Sequence, residues 1–220
     1  MSNATDQVSG TGVTLEQRLL QLPLVGILRG LPPAQSEEVG RRLYAQGLRV
    51  LEVPLNSPEP FASVRILRDT LPVDCLVGTG TVLEPGDVAR TREAGGQLVV
   101  APNCDARVIG AAVEAGMLAL PGVATATEAF AALRAGTRHL KLFPANSFGP
   151  GYLKALREVL PAGTCLYPVG GVAASTIADW VAAGAAGFGF GGDLYRPAYP
   201  LDEVEQRAAR LVAAWRATRA

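Results

Sequence analysis

Short β-branched or aliphatic runs alternate along this chain with stretches whose apolar residues recur every three to four positions, the periods of strand and helix respectively. The strand-like runs cover residues 24–29, 50–55, 76–82, 98–102, 118–123, 139–143, 166–169 and 187–191, and helical patterns cover 33–46, 58–70, 85–94, 105–115, 126–135, 150–160, 174–183 and 201–215. Gly47, Gly95, Gly116, Gly136 and Gly184 stand where helices need a positive-φ residue to stop, and Ser57-Pro58 offers a cap followed by a proline in a first turn. Eight consecutive βα units with right-handed crossovers predict a (β/α)8 TIM barrel. An open doubly wound sheet is the competing architecture. Against it, no Gly-x-Gly-x-x-Gly follows the first strand, and the acidic Glu52 lies inside a strand. Residues 14–21 form one extra N-terminal helical pattern, with Leu15, Leu19 and Leu20 positioned to plug the barrel floor. Trp180 and Trp215 fall on helical patterns as packing residues.

The chain has 220 residues, 49% of them hydrophobic, and a mean hydropathy of +0.22, enough to bury one large core. Residues 14–220 are read as a single domain, and the polar 1–13 as a disordered tail, its Ser2-Asn3-Ala4 resembling a tag remnant. Lysine plus arginine equal aspartate plus glutamate at 20 each, and no basic stretch is interleaved with aromatics. This argues against nucleic acid or an anionic membrane as partner and favours small molecules. No apolar run reaches the roughly 20 residues of a membrane span, and the start has no signal-peptide pattern, so a cytoplasmic location is expected. Cys75, Cys104 and Cys165 are widely spaced and fit reduced thiols serving as small hydrophobes. No His/carboxylate metal cluster is evident, and no cofactor is expected.

Charge chemistry singles out one residue. The chain uses only two lysines, Lys141 and Lys154, and Lys141 interrupts the apolar run His139-Leu-Lys-Leu-Phe-Pro144. Arginine cannot lose its proton at any working pH, whereas a desolvated lysine becomes a neutral amine able to attack a carbonyl. A buried lysine paired with a carboxylate would explain the same position without chemistry. Strand alternation sends His139, Lys141 and Phe143 to one face, and the same parity turns Glu52 inward while Leu51, Val53 and Leu55 face the helices. Arg29 and Thr81 end the first and third strands, at the barrel end where active sites form. His139 enters its strand nearer the floor. The glycines Gly170-Gly171 and Gly189 to Gly192 follow or end the last two strands, where barrels expose backbone N–H groups to phosphate, and a helix starting near Ala174 would add its positive end.

With these residues in place, the chain resembles the class I 2-keto-3-deoxy-6-phosphogluconate/galactonate aldolase family from about Leu22 to Arg216. The motifs are Ile27-Leu-Arg-Gly30, Glu52-Val-Pro-Leu-Asn-Ser-Pro58, Gly78-Thr-Gly-Thr-Val-Leu83, Ala101-Pro-Asn103, Lys141-Leu-Phe-Pro144, Val169-Gly-Gly-Val172 and Gly191-Gly-Asp-Leu-Tyr195. The resemblance implies that Lys141 is the Schiff-base lysine and Glu52 the general acid/base. Pro54 to Pro58 looks like the phosphogalactonate branch: gluconate-type relatives carry arginine at the position of Asn56, while this chain has Arg29. Arg29, assisted by Thr81, then clamps the substrate carboxylate, and Pro102, Pro121 and Phe143 wall the pyruvate moiety. Gly170, Gly171, Gly191 and Gly192 hold phosphate, with Gly192 standing where relatives often have serine. The implied reaction is reversible, metal-free cleavage of 2-dehydro-3-deoxy-6-phosphogalactonate to pyruvate and glyceraldehyde 3-phosphate by a homotrimer. A phosphogluconate or 4-hydroxy-2-oxoglutarate aldolase, a non-catalytic phosphosugar-binding barrel and a barrel isomerase remain as alternatives.

Overall fold

The computed structural model describes residues 13–219. Apart from Val13, the expected tail lies outside the described residues. Each expected strand region forms: β1 (Leu24–Ile27), β2 (Val50–Pro54), β3 (Leu76–Gly80), β4 (Leu98–Val100), β5 (Leu118–Leu120) with β6 (Gly122–Val123), β7 (His139–Leu142), β8 (Cys165–Pro168) and β9 (Phe188–Phe190). Between and around them lie α1 (Leu15–Gln21), α2 (Pro33–Ala45), α3 (Pro60–Thr70), α4 (Pro85–Glu93), α5 (Ala106–Glu114), α6 (Ala126–Arg134), α7 (Gly149–Val159), α8 (Ile177–Ala182) and α9 (Leu201–Ala217). All strand pairs are parallel, in a six-stranded sheet ordered β5-β4-β3-β2-β1-β9 and a three-stranded sheet ordered β6-β7-β8. The fifth expected strand is split because Pro121 has no N–H to donate to the ladder. Its carbonyl still accepts a hydrogen bond from Lys141 N at 2.9 Å. A single parallel bridge, Val169 to Gly189, joins the β8 end to β9.

The pleat divides the core into two clusters. Val25, Val50, Leu76, Leu98, Val100, Leu118, Leu120 and Tyr167 pack together on the inner face, and Leu51, Val53, Val77, Val99, Ala119, Leu140 and Leu166 pack outward against the helices. Period-two alternation therefore fixes which side of the sheet each residue serves. Leu15 and Leu19 of α1 join the inner cluster from below, as expected of a plug. Leu20 does not; it is 46% exposed, and Arg18 is buried instead, its guanidinium donating to Val73 O at 2.6 Å. Trp180 and Trp215 are buried among the outer residues.

The five helix-stopping glycines all have positive φ. The expected start of α3 at Ser57-Pro58 is not used. The helix begins at Pro60, because a residue before proline is disfavoured in the α region and Glu59 is held left-handed at φ 39°. Ser57 Oγ instead accepts from Gly30 N at 2.9 Å, tying the loop after β2 to the loop after β1. The helix expected over 174–183 is a 3-10 turn, Ala174–Thr176, followed by the six residues of α8. So short an element brings little dipole to the neighbouring glycine loop.

Candidate active site

β7 carries two leucines outward and His139 and Lys141 inward. In register, Lys141 lies between Gly122 of β6 and Tyr167 of β8. It is 7% exposed and forms no ion pair within 4.0 Å among the described residues. Burial pushes its pKa below the usual lysine range; the Glu52 charge opposes this and the Arg29 charge reinforces it. The amine nitrogen stands 4.8 Å from the Phe143 ring centroid.

Glu52 sits centrally in β2, paired with Ile27 on one side and Gly78 on the other, and is 2% exposed. Burial raises its pKa to about 7, against the lowering pull of Lys141 and then Arg29. Its Oε2 is enclosed and has no hydrogen-bond partner among the described residues. The carboxylate lies directly over Gly80: any Cβ at that position would collide with both carboxylate oxygens. Gly80 thus makes the space that lets Glu52 point inward.

Arg29 and Thr81 were expected at strand ends, but β1 stops at Ile27 and β3 at Gly80, so both stand in the loops just beyond. Arg29 is exposed, and its Nη1 donates to Asn56 Oδ1 at 2.5 Å. Thr81 adopts φ 58°, a costly conformation for a β-branched residue. Pro102 is half-buried, and its carbonyl lies where a Cβ at Gly122 would be, so Gly122 lets the loop after β4 approach Lys141's neighbour. Pro121 is buried beside it.

Gly170 and Gly171 have φ 95° and 72°, which L side chains avoid. The Gly170 α-carbon packs on the Phe143 ring, with an ideal Cβ 3.4 Å from its Cε2. One aromatic ring therefore connects the lysine amine to the first glycine loop. Gly191 faces open space, but a Cβ at residue 192 would come within 3.1 Å of Arg196 Nε and Nη2. Arg196 fills that volume. Gly80 and Asn56 lie inside the motifs quoted above and Arg196 directly follows one of them, but nothing in the sequence signals the contacts they make. His139 is separate from this constellation, bonded near the floor to Tyr167 and Glu16. Among the described residues no group of three or more His, Cys, Asp or Glu could hold a metal.

The family profile described as KDPG and KHG aldolase matches residues 15–206. The chain is 45% identical over 197 residues to the 2-dehydro-3-deoxy-6-phosphogalactonate aldolase of Escherichia coli (strain K12), covering 89% of this chain and 96% of that protein. A solved structure described as native KDPGal superposes with a TM-score of 0.88 at 43% identity, over 90% of this chain and 96% of the other. A KDPG aldolase from Legionella pneumophila, solved with pyruvate captured as a covalent carbinolamine intermediate, gives a TM-score of 0.78 at 25% identity, over 92% and 96% of the two chains.

Proposed function

Since this chain belongs to the KDPG and KHG aldolase family, we propose that it is a class I aldolase cleaving 2-dehydro-3-deoxy-6-phosphogalactonate reversibly to pyruvate and glyceraldehyde 3-phosphate. The observation that carries this reading is a buried lysine with no ion pair among the described residues, its amine biased toward neutrality, near a carboxyl raised to about 7. An ordinary lysine is neutral in only about one molecule in 2,500 at pH 7. Desolvation of Lys141 raises that fraction.

In the cleavage direction, the neutral Lys141 amine adds to the C2 carbonyl, giving a carbinolamine. Glu52 supplies a proton to the departing hydroxyl, water leaves, and a protonated imine links Nζ to C2. The ionised Glu52 then takes the proton from the C4 hydroxyl, the C3–C4 electron pair moves into the imine, and the aldehyde departs. Glu52 returns its proton to C3 of the enamine, and water releases pyruvate from Lys141. A carboxyl titrating near the working pH suits both giving and accepting. Arg29, held by Asn56 and assisted by Thr81, is the clamp for the C1 carboxylate. Phe143, Pro102 and Pro121 exclude water from the imine, and Gly170, Gly171, Gly191 and Gly192 offer backbone to the phosphate. The galactonate epimer is favoured over the gluconate one by the 45% identical relative and by the Arg29 to Asn56 pairing.

The same reading includes a closed (β/α)8 barrel, for which the split at Pro121 and the Val169 to Gly189 bridge supply the two seams. It also includes a single domain over residues 14–220, a homotrimer and a cytoplasmic location.

Incubation with pyruvate and borohydride, followed by peptide mass mapping, tests the proposal. The expected adduct is on Lys141 and absent from the exposed Lys154 of α7. No adduct under conditions that trap a known class I aldolase, or one confined to Lys154, would overturn it.

A further inference from the structure

The loop after β9 carries an exposed arginine, Arg196, that makes no ion pair among the described residues. Gly191 O accepts from both Leu194 N and Tyr195 N, each at 2.9 Å, and Gly192 O accepts from the Tyr199 hydroxyl at 3.1 Å. Because each peptide is planar and trans, the Gly192 and Asp193 N–H groups point opposite to those two engaged carbonyls. Neither N–H donates a hydrogen bond among the described residues. Beside them, Arg196 Nε and Nη2 lie 3.1 Å from the Cβ position of residue 192, and its guanidinium carbon is 5.7 Å from the Tyr199 ring centroid. The neighbouring Tyr199 ring also carries Arg207, 4.4 Å from its centroid, and Arg207 is paired with Glu203. Arg196 has no carboxylate within 4.0 Å among the described residues, unlike Arg41, Arg42, Arg49, Arg90, Arg107 and Arg207. The loop leans on the mouth: Pro197 Cγ is 2.8 Å from the Cβ position of Gly30, next to Arg29.

We propose that Arg196 is a phosphate-binding residue of the site, its planar guanidinium acting with the Gly192 and Asp193 N–H groups on the substrate phosphate. Two free N–H groups and a guanidinium beside a glycine with no side chain form a concave donor set suited to a dianion, and arginine's fork matches phosphate oxygens. The absent side chain at 192 is then a requirement of Arg196 rather than a loss. A serine there would press on the guanidinium and displace it. This inference rests on the aldolase reading, since it assigns a group within that substrate.

The test is the ratio of kcat/KM for the 6-phosphorylated substrate to that for its unphosphorylated analogue. Arg196→Ala should lower this ratio about 10- to 100-fold, the scale of a lost charge-assisted hydrogen bond, through KM. Arg196→Lys should fall between, having charge without the fork. Inorganic phosphate should inhibit the wild type competitively and the alanine variant at least tenfold more weakly. Gly192→Ser should lower the ratio with Arg196 present and cause no further loss in an Arg196→Ala background. A ratio within twofold of wild type in Arg196→Ala, or a ratio raised by Gly192→Ser with Arg196 intact, would overturn the assignment. The wild-type pyruvate adduct separates the two readings. If it forms and the ratio does not move, only Arg196 is wrong; if it fails to form, the aldolase proposal itself falls.

Discussion

β7 presents two buried titratable side chains to the interior, two residues apart on the same strand face, and they meet opposite environments. At the floor, His139 Nδ1 shares a hydrogen bond with the Tyr167 hydroxyl at 3.1 Å, and Nε2 one with Glu16 Oε1 at 3.2 Å. At the mouth, Lys141 has no ion pair, and Glu52 Oε2 has no partner among the described residues. Both clusters are enclosed by apolar side chains. Burial alone therefore does not separate the two groups of β7; local satisfaction does, because leaving a buried polar atom unpaired costs about 1–3 kcal/mol.

The linkage to pH follows the same division. For His139, burial pulls the pKa down, but the neighbouring Cys165 and the hydrogen bond to Glu16 carry it up to about 9. A base raised from an ordinary value near 6.5 contributes stability that is complete below that value and is lost as pH rises through 9. Glu52, raised to about 7, also favours its protonated form, so its folded-state cost grows as pH rises from its ordinary value of 4.5 and levels off above about 7. One group titrates as part of a clasp and the other as part of a tool.

The sharpest way to break the comparison is Glu52→Gln, which should keep the fold and lower turnover on the order of 10²- to 10⁴-fold. It should also stabilise the protein at pH 8 by about 1–3 kcal/mol, since it removes the enclosed charge. Steady-state rates and thermal melts at pH 6 and 8 check both; a near-wild-type rate would make Glu52 structural. Gly80→Ala comes next, with a loss of turnover of roughly 10²-fold, because the added methyl displaces the carboxylate while the backbone stays in an ordinary strand conformation. A variant with wild-type kcat would show that the Glu52 position does not matter to the reaction. At the other end of β7, His139→Gln should flatten the fall in melting temperature between pH 6.5 and 9.5, an effect of at most about 3 kcal/mol, while the kcat profile through pH 7 persists. A change in that profile would merge the two clusters into one. The smallest expected effect is none: cleavage should survive exhaustive EDTA treatment and dialysis, because the protonated imine is the electron sink. Loss restored by Mg2+ or Mn2+ would remove the class I reading.

The period-two and period-3.6 patterns were enough to fix the strand and helix regions, and with them the inward direction of Glu52 and Lys141, because alternation on a strand needs no knowledge of its partners. The same logic put Leu15 and Leu19 under the floor, yet misassigned Leu20, since a helix buries one stripe and that stripe depends on what it meets. The start of α3 shifted to Pro60 once a second proline constrained Glu59, a local conflict that pairwise cap signals do not weigh. Long-range approach was legible nowhere in the chain. That Glu52 rests on Gly80, that Arg29 is held by Asn56, and that Pro197 reaches Gly30 all depend on segments brought together by parallel strand register. The amino-acid sequence by itself determined which residues can carry charge into an apolar interior. Only the tertiary structure decided which of them are satisfied there, because satisfaction is a matter of distances of a few ångströms between residues far apart in the chain.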